Sequence, residues 1–170
     1  SQLQNASTDW FAQVDRTGVG QEHNLAVSGA GQSNAYRLSL GYLNQDGIIK
    51  GSSTQRVSLG LNYSQRLFSD HLDVNTNLRG SRSLDQFAPG GVLSNAAQMG
   101  PTQPVTDPTS ATGFYNWPGN SLQSADNPAE ILGMSTDKGT TYRSIGNIQG
   151  SYRMPFLEAR FRELDDEDRV

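Results

Sequence analysis

The sequence of 170 residues predicts a mainly β protein, an antiparallel meander of about five strands in one open sheet. Two observations support this fold class. Apolar residues occur at every second position in several segments, and short connections rich in Gly, Asn, Asp and Ser separate the first four of these segments. Strict alternation is typical of antiparallel strands with one face out of water, and such connections are typical of hairpin turns.

The first four strands are predicted within residues 22–87. The clearest is "AYRLSLGY", where alternate positions are apolar; "RVSLGLNYSQ" and "HLDVNTNLRG" repeat the pattern, and "EHNLAVSG" repeats it weakly. The connections "GAGQSN", "NQDGIIKGSST" and "FSD" contain turn-forming residues. We therefore predict a four-stranded meander over residues 22–87, preceded by an extended segment at residues 1–21.

A long loop excursion is predicted at residues 88–139, which contain six of the seven prolines. A connection of this length within a compact domain is usually functional, and its aromatic residues favour an ordered conformation over disorder. Within it, "NPAEIL" predicts one helical turn in which Asn127 caps the first N–H groups and Pro128 takes the first helical position. A fifth strand is predicted at residues 140–156, and the whole chain is interpreted as a single domain.

The C-terminal tail at residues 157–170 has a different character. Leu157, Phe161 and Leu164 have helical spacing among dense charges of both signs, so the segment is predicted to be a charged tail or a short amphipathic helix.

Composition excludes several classes of function. The net charge of −4 argues against nucleic-acid binding, and the absence of cysteine removes thiolate metal sites and cysteine nucleophiles. His23 and His71 lack neighbouring ligands at metal-site spacing, and no G-x-S-x-G or phosphate-loop motif is present. No run of about 18 apolar residues predicts a membrane helix. We predict a protein that is not an enzyme and has no cofactor or metal.

Aromatic residues in the loop are the strongest candidate contacts. Phe114, Tyr115 and Trp117 lie close together, and large aromatic side chains dominate core and interface energetics. We favour packing or a protein interface for them over carbohydrate binding. With the apolar residues of the tail, the candidate partner or ligand contacts are Phe114, Tyr115, Trp117, Leu157, Phe161 and Leu164.

Several motifs in one order resemble the early barrel region of SusC/RagA-type TonB-dependent outer-membrane transporters. They are Asp9-Trp10, Arg16-Thr17-Gly18, the strand from Asn24 to Gly29 and the hairpin from Tyr36 to Ile48. The later "FAPGGVLSNAAQMGPTQPV" and "NPAEIL" resemble the first long extracellular loop of these proteins. The resemblance covers about residues 8–157 and implies a sheet that is like a piece of a barrel, in the periplasm or outer membrane of a Gram-negative-type cell.

The same resemblance implies a much longer chain, with a plug domain before this region and most of the barrel after it. A transporter barrel of this size needs about 22 strands, and "ARFRELDDEDRV" abandons the alternating pattern. We therefore expect a truncated gene product that cannot transport alone.

Two functions remain open. The first is a non-catalytic structural subunit that packs its sheet and long loop against protein partners in a larger envelope or membrane complex. The candidate is a respiratory or photosynthetic complex with this subunit on its periplasmic side. Peripheral association of the subunit with the membrane is compatible with this function. The alternative is a piece of a full outer-membrane transporter that imports glycans or peptides. A small carbohydrate-binding β domain is the weakest hypothesis.

Overall fold

The computed structural model describes residues 5–118 and 125–154. Five strands form one sheet in the order β1-β2-β3-β4-β5, so each strand pairs with its neighbours in sequence. This arrangement confirms the predicted open antiparallel meander. The elements in chain order are α1 (Trp10–Val14), β1 (Gly20–Ala30), β2 (Asn34–Asp46), β3 (Ser53–Leu67), β4 (Leu72–Phe87), α2 (Val92–Gln98), α3 (Pro128–Met134) and β5 (Asp137–Tyr152).

Tight turns join β1 to β2 and β3 to β4. In the first, the Gly31 N–H donates a 2.8 Å hydrogen bond to the Asn34 carbonyl. In the second, the consecutive residues Phe68, Ser69 and Asp70 all have positive φ, between 52° and 67°. Left-handed backbone is uncommon in non-glycine residues. Within this turn the His71 N–H donates a 3.2 Å hydrogen bond to the Phe68 carbonyl.

The chain divides into two compact units, and each strand contributes residues to both. Of the described residues, the loop unit contains 5–22, 43–56, 83–118 and 125–141; the strand unit contains 23–42, 57–82 and 142–154. Residues 157–170, with the predicted helix or tail, lie outside the described residues.

The buried core lies in the loop unit. Among residues 5–118 and 125–154, six apolar residues have 5% or less of their surface exposed: Trp10, Val14, Val92, Ala96, Met99 and Tyr115. They come from α1, α2 and the loop before α3, so the three short helices pack on one another around this cluster. The described part of the long proline-rich segment is therefore folded, and it shares this core with α1.

Helix α1 forms within residues 1–21, for which the sequence analysis predicts an extended segment. Asp9 caps its first turn by accepting a hydrogen bond from the Ala12 N–H. At its other end, the Lys50 Nζ donates to the carbonyls of Ala12 and Gln13 at 3.0 and 2.7 Å. A cation at a helix C-terminus stabilises the unpaired carbonyls, so this five-residue helix depends on a residue distant in sequence.

Helix α3 confirms the predicted turn at "NPAEIL". Asn127 is its N-cap and accepts hydrogen bonds from the N–H groups of Ala129 and Glu130, and Pro128 is in the first turn. Within the described residues, no helix is both long and apolar enough to span a membrane.

Candidate functional site: a sheet with two unlike faces

Close contacts between neighbouring strands define the two faces of the strand unit. A Cβ atom on Gly29 would meet the ring of Tyr36, so these residues share a face. A Cβ atom on Gly41 would meet the side chains of Ser58 and Asn24, which places all three on the other face. Because side chains alternate along a strand, these contacts assign the remaining positions of β1, β2 and β3.

The assignment extends to β4 and β5. Leu78 fills the space above Gly146, whereas the Asn77 side chain donates a 3.0 Å hydrogen bond to the Asn147 side chain. Leu78 also lines one groove with Leu38, Leu40 and Leu59, so it belongs to the face of the β2 leucines.

The first face is apolar and exposed. We call it the apolar face; it carries Leu25, Val27, Tyr36, Leu38, Leu40, Tyr42, Val57, Leu59, Leu61, Tyr63, Leu78, Tyr142 and Ile148. Leu25 and Leu59 have 65% and 62% of their surface exposed. Contiguous exposed apolar surface of this kind marks contact with a membrane or a protein.

The opposite face is polar. We call it the polar face; it carries Asn24, Arg37, Ser39, Ser58, Asn62, Asn75, Asn77, Arg79, Arg143, Asn147 and Gln149, with small glycines among them. None of its arginines belongs to the ion pairs found in the described parts of the chain, which join Arg16 to Asp46 and Arg66 to Asp70. The polar face therefore offers hydrogen-bond donors and acceptors together with arginine charge.

The predicted aromatic contacts lie in the loop unit. Tyr115 is buried in the core, and Trp117 meets it edge to face with ring centroids 6.2 Å apart. Phe114 is half-buried and packs against Gly133 of α3. Trp117 is half-buried beside a 360 Å³ groove that Asn116, Asp126 and Glu130 also line. The structure thus brings Tyr115 and Trp117 into contact and places Phe114 against α3, while Leu157, Phe161 and Leu164 lie outside the described residues.

Asn127 is a structural residue whose tertiary role the sequence analysis missed. It is fully buried, and its side-chain N–H groups donate to the carbonyls of Val105 and Tyr115 at 2.8 and 3.0 Å. Its role as a helix cap has a local sequence signal, whereas these two bonds join positions 22 and 12 residues away.

Electrostatic effects in the loop unit are local. The Thr109 hydroxyl and, next, the Thr109 N–H donate to the Asp107 carboxylate and lower the pKa of that carboxyl below its ordinary value. Over residues 5–118 and 125–154, no group of three or more His, Asp or Glu side chains is placed to hold a metal ion.

Alternating strands with one apolar and one polar face, joined by tight turns and by one long folded loop, are the pattern of an outer-membrane β-barrel wall. The comparisons with known proteins agree. The chain is 32% identical over 173 aligned positions to the TonB-dependent receptor SusC of Bacteroides thetaiotaomicron, covering 91% of this chain and 17% of SusC. It is 30% identical to the TonB-dependent receptor P3 of Formosa agariphila, covering 86% of this chain and 15% of P3. No family model matches the chain.

Among solved structures, the fold matches one described as the RagAB peptide importer in its closed-closed state. The TM-score is 0.62 over 91% of this chain and 18% of that chain, at 19% sequence identity, so this match supports the fold.

The chain is a relative of the SusC/RagA-type TonB-dependent receptors, which confirms the predicted resemblance. Receptors of this type are outer-membrane proteins of Gram-negative bacteria, so the predicted envelope location is confirmed as well. They are transporters rather than enzymes, and they work with partner proteins. The chain spans about a sixth of the length of the curated relatives named above.

Proposed function

We propose that this chain forms part of the wall of an outer-membrane transporter, with the apolar face against lipid and the polar face toward the barrel interior. The observation that carries the proposal is the separation of side chains on the strand unit. Exposed leucine, valine and tyrosine lie on one face, and most of the asparagine, serine and arginine lie on the other. Exceptions include Arg82, on the apolar face, and Ile145, on the polar face.

The dimensions of the apolar face support contact with a bilayer. Tyr36 and Tyr42 bound the aliphatic part of β2, and the six residue steps from one to the other span about 20 Å along the strand. Outer-membrane barrels present an apolar band about 25 Å tall with aromatic girdles at both edges. The tyrosines have the placement of such girdles.

The solute is proposed to be a glycan or a peptide. The polar face supports either, because asparagine, serine and arginine side chains can hydrogen-bond to hydroxyl, amide and carboxylate groups. One solved structure with the same fold is described as a peptide importer.

In the loop unit, Trp117 is half-buried and available for partial contact with a partner protein. A protein interface or packing remains our preferred role for Phe114, Tyr115 and Trp117.

Spin labels on neighbouring residues test the orientation of the sheet. Leu38 and Arg37 are consecutive, both are exposed, and they belong to opposite faces. We expect a nitroxide on Leu38→Cys, in the protein containing this chain in lipid vesicles, to collide with oxygen more than with a water-soluble nickel chelate. The matched Arg37→Cys label should show the reverse. Equal accessibility of both labels to the nickel chelate would contradict the proposal.

The second candidate is a non-catalytic subunit that covers the same apolar face with a partner protein. The exposure of that face is as compatible with this function as with a lipid contact, because a protein partner and a bilayer would each remove the leucines from water. The Leu38→Cys label separates them. Shielding from both oxygen and the nickel chelate, lost when co-purifying proteins are removed, would favour the subunit.

A further inference from the structure

An apolar groove runs along the apolar face of the strand unit. It has a volume of 570 Å³, and Leu38, Leu40, Leu59, Leu61 and Leu78 form much of its lining. Small residues create the depression: Gly80 and Ser144 also line it, and a Cβ atom on Gly80 would meet nothing within 4 Å. The groove is thus a shaped apolar surface and not only a set of exposed side chains.

A cation lies beside this groove. Arg82 follows Gly80 by two positions on the same face of β4, which is about 7 Å along the strand. Its guanidinium carbon is 5.7 Å from the centroid of the Tyr142 ring, in cation–π geometry. Neither ion pair found among the described residues includes Arg82, so its charge is available to a ligand.

The free-energy cost of an arginine on a lipid-facing surface depends on its depth in the bilayer. At the midplane of a bilayer it costs about 2–4 kcal/mol, and near the headgroups the cost falls to about 0–1 kcal/mol. Tyr142 beside it is the residue type that gathers at that boundary. On the proposed orientation of the sheet, Arg82 therefore lies at headgroup level with the apolar groove extending from it toward the middle of the bilayer.

We propose that Arg82, Tyr142 and the adjoining groove form a binding site for a phosphate-bearing lipid of the surrounding leaflet. Arg82 donates hydrogen bonds to the phosphate, and an acyl chain lies against the leucines beside Gly80. This site rests on the proposed function, because it needs the apolar face to contact lipid. The charge of Arg82 and the apolar lining together select a phospholipid over a neutral lipid or a free anion.

The test uses the protein containing this chain, purified from membranes and examined by native mass spectrometry with added phosphatidylglycerol or diacylglycerol. We expect phosphatidylglycerol to be retained better than diacylglycerol, and Arg82→Gln to weaken its binding by about tenfold, the usual value of one charge-assisted contact. Arg82→Lys should keep most of the binding. Arg143→Gln, which removes the same charge from the polar face next to Tyr142, should leave it unchanged.

A second variant tests the groove without altering charge. Gly80→Leu places a side chain in open space within the groove, so it should weaken retention of both lipids while the protein remains folded. Equal lipid binding by Arg82→Gln and Arg143→Gln would overturn the proposal. Competition by inorganic phosphate as strong as that by phosphatidylglycerol would overturn it too, because it would indicate a simple anion site.

The spin label on Leu38→Cys distinguishes failure of this inference from failure of the proposed function. If Arg82→Gln does not weaken lipid binding while the Leu38→Cys label is still exposed to lipid, only the proposed lipid site is contradicted and the proposed function stands. A Leu38 label covered by another protein contradicts both.

Discussion

Asn127 shows how one buried polar residue can organise a long loop. Its side chain has four hydrogen-bonding contacts: it caps α3 through two N–H groups and pairs two carbonyls from the preceding loop. Burying an amide side chain is unfavourable unless its donors and acceptors are satisfied. The complete pairing of Asn127 therefore fixes the position of α3 relative to residues 105–115 within the loop unit.

Replacement of Asn127 should destabilise the loop unit. Asn127→Ala removes a helix cap and takes a donor from two carbonyls: Tyr115 loses its bond from Asn127, and Val105 keeps the 3.2 Å bond from the Tyr115 N–H. We expect a local loss of about 2–4 kcal/mol. Hydrogen exchange of the Ala129 and Glu130 amides should accelerate by at least about tenfold. Asn116→Ala is the matched control, since Asn116 is exposed and donates one bond to Glu130. Similar exchange in the two variants would contradict this role.

Residue-scale prediction from sequence succeeded where the cause is local. The cap of α3 follows from Asn127 and Pro128 alone. The bonds of Asn127 to Val105 and Tyr115, and the contact of Arg82 with Tyr142, depend on tertiary placement, for which a single sequence carries no direct signal.

At the scale of elements, strands were more predictable than helices. Alternation is a property of each strand by itself, so β2, β3 and β4 were evident in the sequence. Helices α1 and α2 have five and seven residues, too short to be stable from intrinsic propensity. They form because Val14, Val92 and Tyr115 share one core, and this tertiary effect explains why the sequence analysis missed both.

The pairing of β4 with β5 depends on a glycine. A Cβ atom at Gly146 would lie 2.5 Å from a Leu78 methyl and 3.1 Å from the Asn77 carbonyl oxygen. We expect Gly146→Ala to lower the free energy of unfolding by about 1–2 kcal/mol through overpacking. Gly150→Ala is the matched control on the same strand, because a Cβ atom there meets nothing within 4 Å.

Urea unfolding of the protein in lipid vesicles measures both variants. The Gly146→Ala midpoint should fall, and the Gly150→Ala midpoint should stay the same or rise slightly, because alanine restricts the unfolded chain. A lower midpoint for Gly150→Ala than for Gly146→Ala would show that the assigned contact of Leu78 with Gly146 is wrong.

At the scale of the whole molecule, the two unlike faces are what connect sequence to function. The sequence predicts an apolar face and a polar face, and from the sequence alone we favour the chain's own loop and a protein partner over lipid as the cover of the apolar face. Both burials satisfy the same alternating pattern. The fold and the family relationship now favour lipid, and the tyrosines at both ends of the β2 apolar segment agree with a bilayer boundary. The occupant itself is an intermolecular property and has to be measured.

The most direct measurement compares the cost of one arginine on each face. Leu59 is an exposed residue in the middle of the apolar face, and Gln149 is an exposed residue of the polar face. If the apolar face contacts the bilayer core, Leu59→Arg should lower the free energy of unfolding in lipid vesicles by about 2–4 kcal/mol, with Gln149→Arg close to wild type. Equal costs for the two variants, or a larger cost for Gln149→Arg, would contradict the assignment of the sheet as a membrane wall.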